Sequence, residues 1–134
     1  MNKTSIKAIE RIIACLNEIR ILTRGRDDKY FYDSYETPVV CDLFNEIDNN
    51  MQKISSSIKQ KYNNVNWNII DSCKHYDFED FQSLKLRDVM SLAFGGLYNE
   101  LYDSLNTILE ENIREYYKKY SLRMHRMSLK KKIG

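Results

Sequence analysis

Thr37-Pro38-Val39-Val40-Cys41-Asp42-Leu43-Phe44-Asn45-Glu46-Ile47 is the stretch that decides the fold. Threonine suits a helix cap, and proline suits the first helical position, where its missing N–H is no loss. Val40, Leu43, Ile47, Met51, Ile54 and Ile58 then step by three and four, predicting one helix from Thr37 to about Tyr62. Upstream, Ile6, Ile9, Ile12, Ile13, Leu16, Ile19 and Leu22 recur at steps of three or close to it, one face of a helix that runs to about Thr23. Thr4 or Ser5 can cap it, and Gly25 follows its end. Residues 26–35 form a polar, aromatic-rich connector.

Downstream, Asn63 to Asn66 ends the second helix, and Trp67, Ile69 and Ile70 form a short apolar plug for the core. A third helix is expected from Glu79 or Asp80 through Phe81, Leu84, Val89 and Leu92, interrupted at Gly95-Gly96. A fourth carries Leu97, Leu101, Leu105, Ile108 and Ile113 and continues past Tyr116, Tyr117 and Tyr120. No segment alternates with period two. The expected fold is all-α, an antiparallel bundle of four to five helices.

One proline and four glycines in 134 residues agree with long helices, and 43% apolar residues suffice for a single core. The net charge of +2 conceals an asymmetry. After Glu115 come Lys118, Lys119, Arg123, Arg126, Lys130, Lys131 and Lys132, with no acidic residue. The first 115 residues hold 14 basic and 19 acidic side chains, a net of −5. The expected organisation is a bundle domain over 1–120 and a basic tail over 121–134. Such a tail can meet nucleic acid, a membrane surface, or an acidic body. A solvated helix end is the plainer reading.

Cys15, Cys41 and Cys73 are widely separated and odd in number, as expected for reduced thiols in a cytoplasmic protein. No cysteine or histidine spacing points to a metal, and nothing points to a cofactor. The N-terminal stretch lacks a signal-peptide core, and no apolar run is long enough to span a membrane. His75 and His125 are the only side chains that titrate near neutrality when unperturbed. His75 reads as a loop histidine and His125 as a surface one. Gly95-Gly96 follows no strand and reads as a helix break rather than a nucleotide loop. Tyr116, Tyr117 and Tyr120 beside Lys118 and Lys119 could stack on bases, but their spacing suits ordinary packing equally well.

Arg87-Asp88 heads the mostly apolar run that ends in the two glycines. A charged pair on a buried helix is expensive unless it is paired or used.

The layout resembles the HepT-like branch of the HEPN superfamily, small helical toxins encoded beside minimal nucleotidyltransferases. The similarity covers most of residues 6–113. Leu22-Thr23-Arg24-Gly25 stands where the family tends to show Tyr-Thr-x-Gly. Tyr35-Glu36-Thr37-Pro38-Val39-Val40 stands where its second helix starts, and Glu46-Ile47 falls at its Ile-Gly-Glu region. Lys59-Gln60-Lys61-Tyr62-Asn63-Asn64-Val65-Asn66-Trp67 is similar to its Lys-x-Lys-Tyr-Pro-x-Ile-Pro-Trp. Active members carry Arg, then four to six residues, then His, with a Tyr two positions later. Arg87-Asp88 matches the start, but Leu92 then occupies the His position and Phe94 the Tyr position. A rival register places Lys74-His75 at the start and Glu79 to Phe81 at the His position.

The resemblance implies a HEPN-like bundle in a toxin–antitoxin or defence system. It implies a homodimer joined near Arg87 and Phe94, a nucleotidyltransferase-type partner protein, and RNA as a candidate ligand. Cleaving RNA without a metal requires a group that moves the 2′-hydroxyl proton, which leucine cannot supply; its loss costs on the order of 10²–10⁴-fold. The expected function is therefore non-catalytic protein or RNA binding, with Arg87 paired to Asp88 or to a carboxylate on a facing helix. The alternative is a metal-independent endoribonuclease toxin with an unrecognised or partner-supplied histidine. The basic residues Lys118 to Lys132 are the expected binding surface.

Overall fold

A computed structural model describes residues 1–26, 28–31, 37–70, 81 and 83–133, with side chains described except at 116, 117 and 119–133. The described residues form five α-helices and no strand: α1 (Lys3–Thr23), α2 (Thr37–Lys53), α3 (Ser56–Lys61), α4 (Leu86–Phe94) and α5 (Tyr98–Ile133). The fold is an all-α bundle.

α1 is the central element, packing on both α2 and α5. Ile9, Ile12, Cys15, Leu16 and Ile19 are wholly buried. Its cap is Asn2 rather than Thr4 or Ser5: the Asn2 side chain accepts from the Ser5 amide at 2.7 Å. An amide oxygen at this position satisfies one of the orphan donors of the first turn. The Ser5 hydroxyl meets the Ser55 amide just beyond α2, so the start of α1 lies at the end of α2 and the two helices are antiparallel. At the other end, Arg20 meets Asn99 in the first turn of α5, making that pair antiparallel too. Midway, Arg11 clips α1 to α2 through a two-pronged bond to Glu46, one prong being Nη2 to Oε2 at 2.9 Å. This bond holds the Glu46 carboxyl below its ordinary range.

Three expected boundaries are corrected. The helix predicted over 37–62 is two helices. Ser55 is extended, the Ile54 N–H turns back to Met51 O at 3.3 Å, and the Ser55 carbonyl accepts from the Lys59 amide to open α3. The serine run Ser55-Ser56-Ser57 offers the backbone local alternatives to a continuous helix. Thr37 does not cap α2 with its hydroxyl, which donates to the Phe31 carbonyl. The helix expected from Glu79 or Asp80 through Leu92 is not continuous: Phe81 is helical, residues 83–85 are not, and α4 begins at Leu86, while Glu79 and Asp80 lie outside the described residues. Phe31 N–H bonds Leu84 O at 2.9 Å and Leu86 N–H bonds Lys29 O at 2.8 Å, an antiparallel bridge that holds Lys85 extended.

Gly95 and Gly96 end α4 with φ of 55° and 78°, a left-handed pair that a β-carbon would strain. Leu97 N–H then bonds Phe94 O, and α5 departs. The plug is present: Val65, Ile69 and Ile70 are buried, and the Trp67 indole donates to Tyr62 O at 3.1 Å. α5 buries Leu101, Leu105, Ile108 and also Asn112. The Asn112 amide donates to Ile108 O at 2.7 Å and to the Tyr62 hydroxyl at 3.4 Å, so this polar position belongs to the core face and half-buried Ile113 does not. Among the described residues no helix is long and apolar enough to cross a membrane.

Candidate functional site

Arg87 and Asp88 are not buried. Their side chains are 59% and 54% exposed, because α4 turns Leu86, Val89, Ala93 and Phe94 to the core. Arg87 lies 3.3 Å from Asp28, in the connector after α1, and 3.9 Å from Asp88. The expected carboxylate pairing is therefore present, with the tighter partner on a connector rather than on a facing helix. Both contacts are solvent-screened and contribute little to stability.

A groove of about 420 Å³ opens beside Arg87. α4 lines it with Arg87, Met90, Ser91 and Phe94, positions spaced by three, one and three that form one helical stripe. The end of α1 adds Arg20, and the start of α5 adds Tyr98 and Asn99. Leu92 does not line the groove and is 43% exposed, so the position expected to hold histidine faces away from Arg87's groove. Phe94, expected at a dimer contact, has no exposed surface: its ring meets Phe44 and Tyr98 edge-on at 5.8 Å and 5.1 Å. It is committed to this chain's own core.

Arg20 was not singled out by the sequence. Its guanidinium lies 4.4 Å from the Tyr102 ring centre and 5.7 Å from that of Tyr98, and Nη2 donates to Asn99 Oδ1 at 3.5 Å. Among the described residues no carboxylate pairs with it. Basic residues in the last turn of a helix are ordinary complements of the helix dipole, which concealed it. The Tyr98 hydroxyl is buried without a hydrogen-bond partner. Burial pushes its pKa up, with the charge and hydrogen-bonding reach of the nearby Arg20 opposing.

The groove thus presents two cations, the aliphatic hydroxyls of Thr23 and Ser91, and an amide beside apolar side chains. Among the described residues that line it, none is a histidine, carboxylate, lysine or cysteine. Such a site can hold an anion by charge and hydrogen bonds. Among its lining residues nothing exchanges protons near neutral pH.

His75 and Cys73 lie outside the described residues, as do the side chains of His125, Tyr116, Tyr117 and Tyr120. Of the basic residues after Glu115, Lys118 is exposed, and the side chains of the rest lie outside the described residues. The backbone of 121–133 is continuous with α5. Positions 119, 123, 126 and 130 fall five full turns after the buried positions 101, 105, 108 and 112. The core-facing register of α5 therefore passes into a register of Lys119, Arg123, Arg126 and Lys130.

Among the described residues no cluster of three or more metal-ligating side chains occurs. No protein-family model matches the chain, and neither curated proteins nor solved structures give a significant match.

Proposed function

We propose that this protein is a non-catalytic, HEPN/HepT-like helical bundle that binds RNA or a protein within a toxin–antitoxin or defence system. One observation carries the reading: the stripe of α4 that shares a groove with Arg87 offers Met90, Ser91 and Phe94, and no group for acid–base catalysis. An endoribonuclease needs such a group within reach of the 2′-hydroxyl. Two groove arginines, and a cationic register on the far half of α5, supply what phosphate binding needs instead. A homodimer and a nucleotidyltransferase-type partner belong to this reading through the sequence resemblance.

The test is a cleavage assay with tRNA and mRNA beside a binding assay on the same samples. The reading expects uncut RNA with wild type and with Arg87→Ala alike. Cleavage that Arg87→Ala abolishes would favour a ribonuclease toxin instead. Truncation after Tyr120 is expected to weaken salt-sensitive RNA binding while the helical signal of the bundle persists; equal binding across a salt series would remove the tail from the site.

A further inference from the structure

We infer that the groove is a phosphate-binding site whose principal cation is Arg20, with Arg87 in a lesser role. The inference rests on the RNA-binding form of the function proposed above and goes beyond it in naming the anchor and the chemical group bound.

The two arginines differ in what already holds them. Arg87 has Asp28 at 3.3 Å and Asp88 at 3.9 Å, so an incoming anion must compete with two carboxylates for it. Among the described residues Arg20 is held by neutral groups: the faces of Tyr102 and Tyr98 and the Asn99 side-chain oxygen. Stacking on aromatic rings fixes the guanidinium plane without consuming its charge. Its hydrogen bond to Asn99, at 3.5 Å, is long and easily exchanged for a shorter, charge-assisted one. The planar fork can then grip two phosphate oxygens at once.

The rest of the groove suits the same group. Ser91 adds a hydroxyl to the lining, one turn along α4 from Arg87. The volume of about 420 Å³ exceeds a lone phosphate and accommodates a phosphate with its attached sugar or base over Met90. Among the described lining residues no carboxylate repels an anion.

A phosphodiester of RNA and the phosphate of a free nucleotide share this chemistry, and the experiment separates them. Full-length protein is titrated with inorganic phosphate, a nucleoside monophosphate and a short single-stranded RNA. Affinities and amide shifts at Ser91 and Asn99 are followed by NMR. Wild type is compared with Arg20→Gln, Arg20→Lys and Arg87→Gln, each checked for an unchanged thermal melt. Arg20→Gln is expected to weaken phosphate binding by about 10- to 100-fold, the loss of a charge-assisted bond. Arg20→Lys is expected to retain part of the affinity, and Arg87→Gln to change it less than Arg20→Gln does. RNA binding tighter than nucleotide binding identifies the phosphodiester; the reverse identifies a nucleotide.

Phosphate binding unaltered by Arg20→Gln, or weakened more by Arg87→Gln, overturns the assignment of Arg20. Absence of phosphate shifts at Ser91 and Asn99 overturns the site itself. If RNA still binds while these shifts are absent, the proposed function stands without this groove. If phosphate binds through Arg20 but RNA does not, the site stands and the RNA reading fails.

Discussion

Tyr98→Phe is expected to stabilise the protein. The Tyr98 hydroxyl is buried and lacks a hydrogen-bond partner, although the ring is well placed. Folding strips water from this hydroxyl and returns only the loose approach of Arg20, which forms no hydrogen bond of proper geometry, so the cost is at most about 1–3 kcal/mol. Phenylalanine keeps the edge-to-face contact with Phe94 at 5.1 Å and the ring beside Arg20. Against the gain stands the small gap left by one oxygen atom, so the net expectation is about 1 kcal/mol of stabilisation. For a chain of this size that is a rise in Tm of about 4 °C.

The acidity shift adds a signature. A phenol whose pKa is raised by folding releases its proton more readily when unfolded. Wild-type stability from this residue is intact below the ordinary value of 10.0 and falls as pH rises above it, whereas the variant has no such loss. The advantage of Tyr98→Phe should therefore widen above about pH 10. Urea denaturation followed by circular dichroism, at constant m, reads both effects. A loss of 1 kcal/mol or more in the variant, as a bonded phenol would give (about 1 kcal/mol), would refute the reasoning.

Three further outcomes follow from the packing. Phe94→Ala removes a ring with no exposed surface and two aromatic neighbours, so a loss of about 3–5 kcal/mol in denaturant is expected; a loss under about 1 kcal/mol would place Phe94 outside the core. Glu46→Gln should cost about 0.5 kcal/mol at neutral pH, because the Arg11 bond is substantially exposed and screened. The wild-type advantage is present above the ordinary carboxylate value of 4.5 and vanishes as pH falls through Glu46's lowered one; an advantage that persists at lower pH would contradict the assignment. Cys15, wholly buried with its thiol pushed up to about 11, should resist thiol reagents at pH 8 in a Cys41→Ser, Cys73→Ser background until urea unfolds the chain; rapid native labelling, followed by mass spectrometry, would contradict its burial.

Much of the fold could be read along the chain because apolar spacing survives in single helices. The core faces of α1, α2 and α5 follow from Ile9, Ile12 and Ile19, from Val40, Leu43 and Ile47, and from Leu101, Leu105 and Ile108. The boundaries that moved depend on contacts distant in sequence. Nothing local says that Lys85 stays extended, because its bridge partner is Tyr30. The serine run at 55–57 only permits a break in a helix whose apolar period continues to Ile58; what fixes it is Ser5, which holds the Ser55 amide.

The site was half legible for the same reason. Arg87-Asp88 is conspicuous beside apolar residues, and a carboxylate partner could be expected for it. Asp28 could not be named, since it arrives from a connector 59 positions earlier. Arg20 was invisible because a lone arginine near a helix end has an ordinary explanation. Its distinction comes from Tyr98 and Tyr102, which lie on another helix. Leu92 shows the limit of a one-dimensional register: its spacing from Arg87 fits a motif, but the turn of α4 carries it away from the groove.

The central claim is that the Arg87 groove binds without cutting. It is tested most directly by incubating end-labelled single-stranded RNA with excess full-length protein and reading retention and integrity from the same samples. The account predicts RNA that is bound, intact over hours, and released by Arg20→Gln. RNA that is cut by wild type and spared by Arg87→Ala would contradict it.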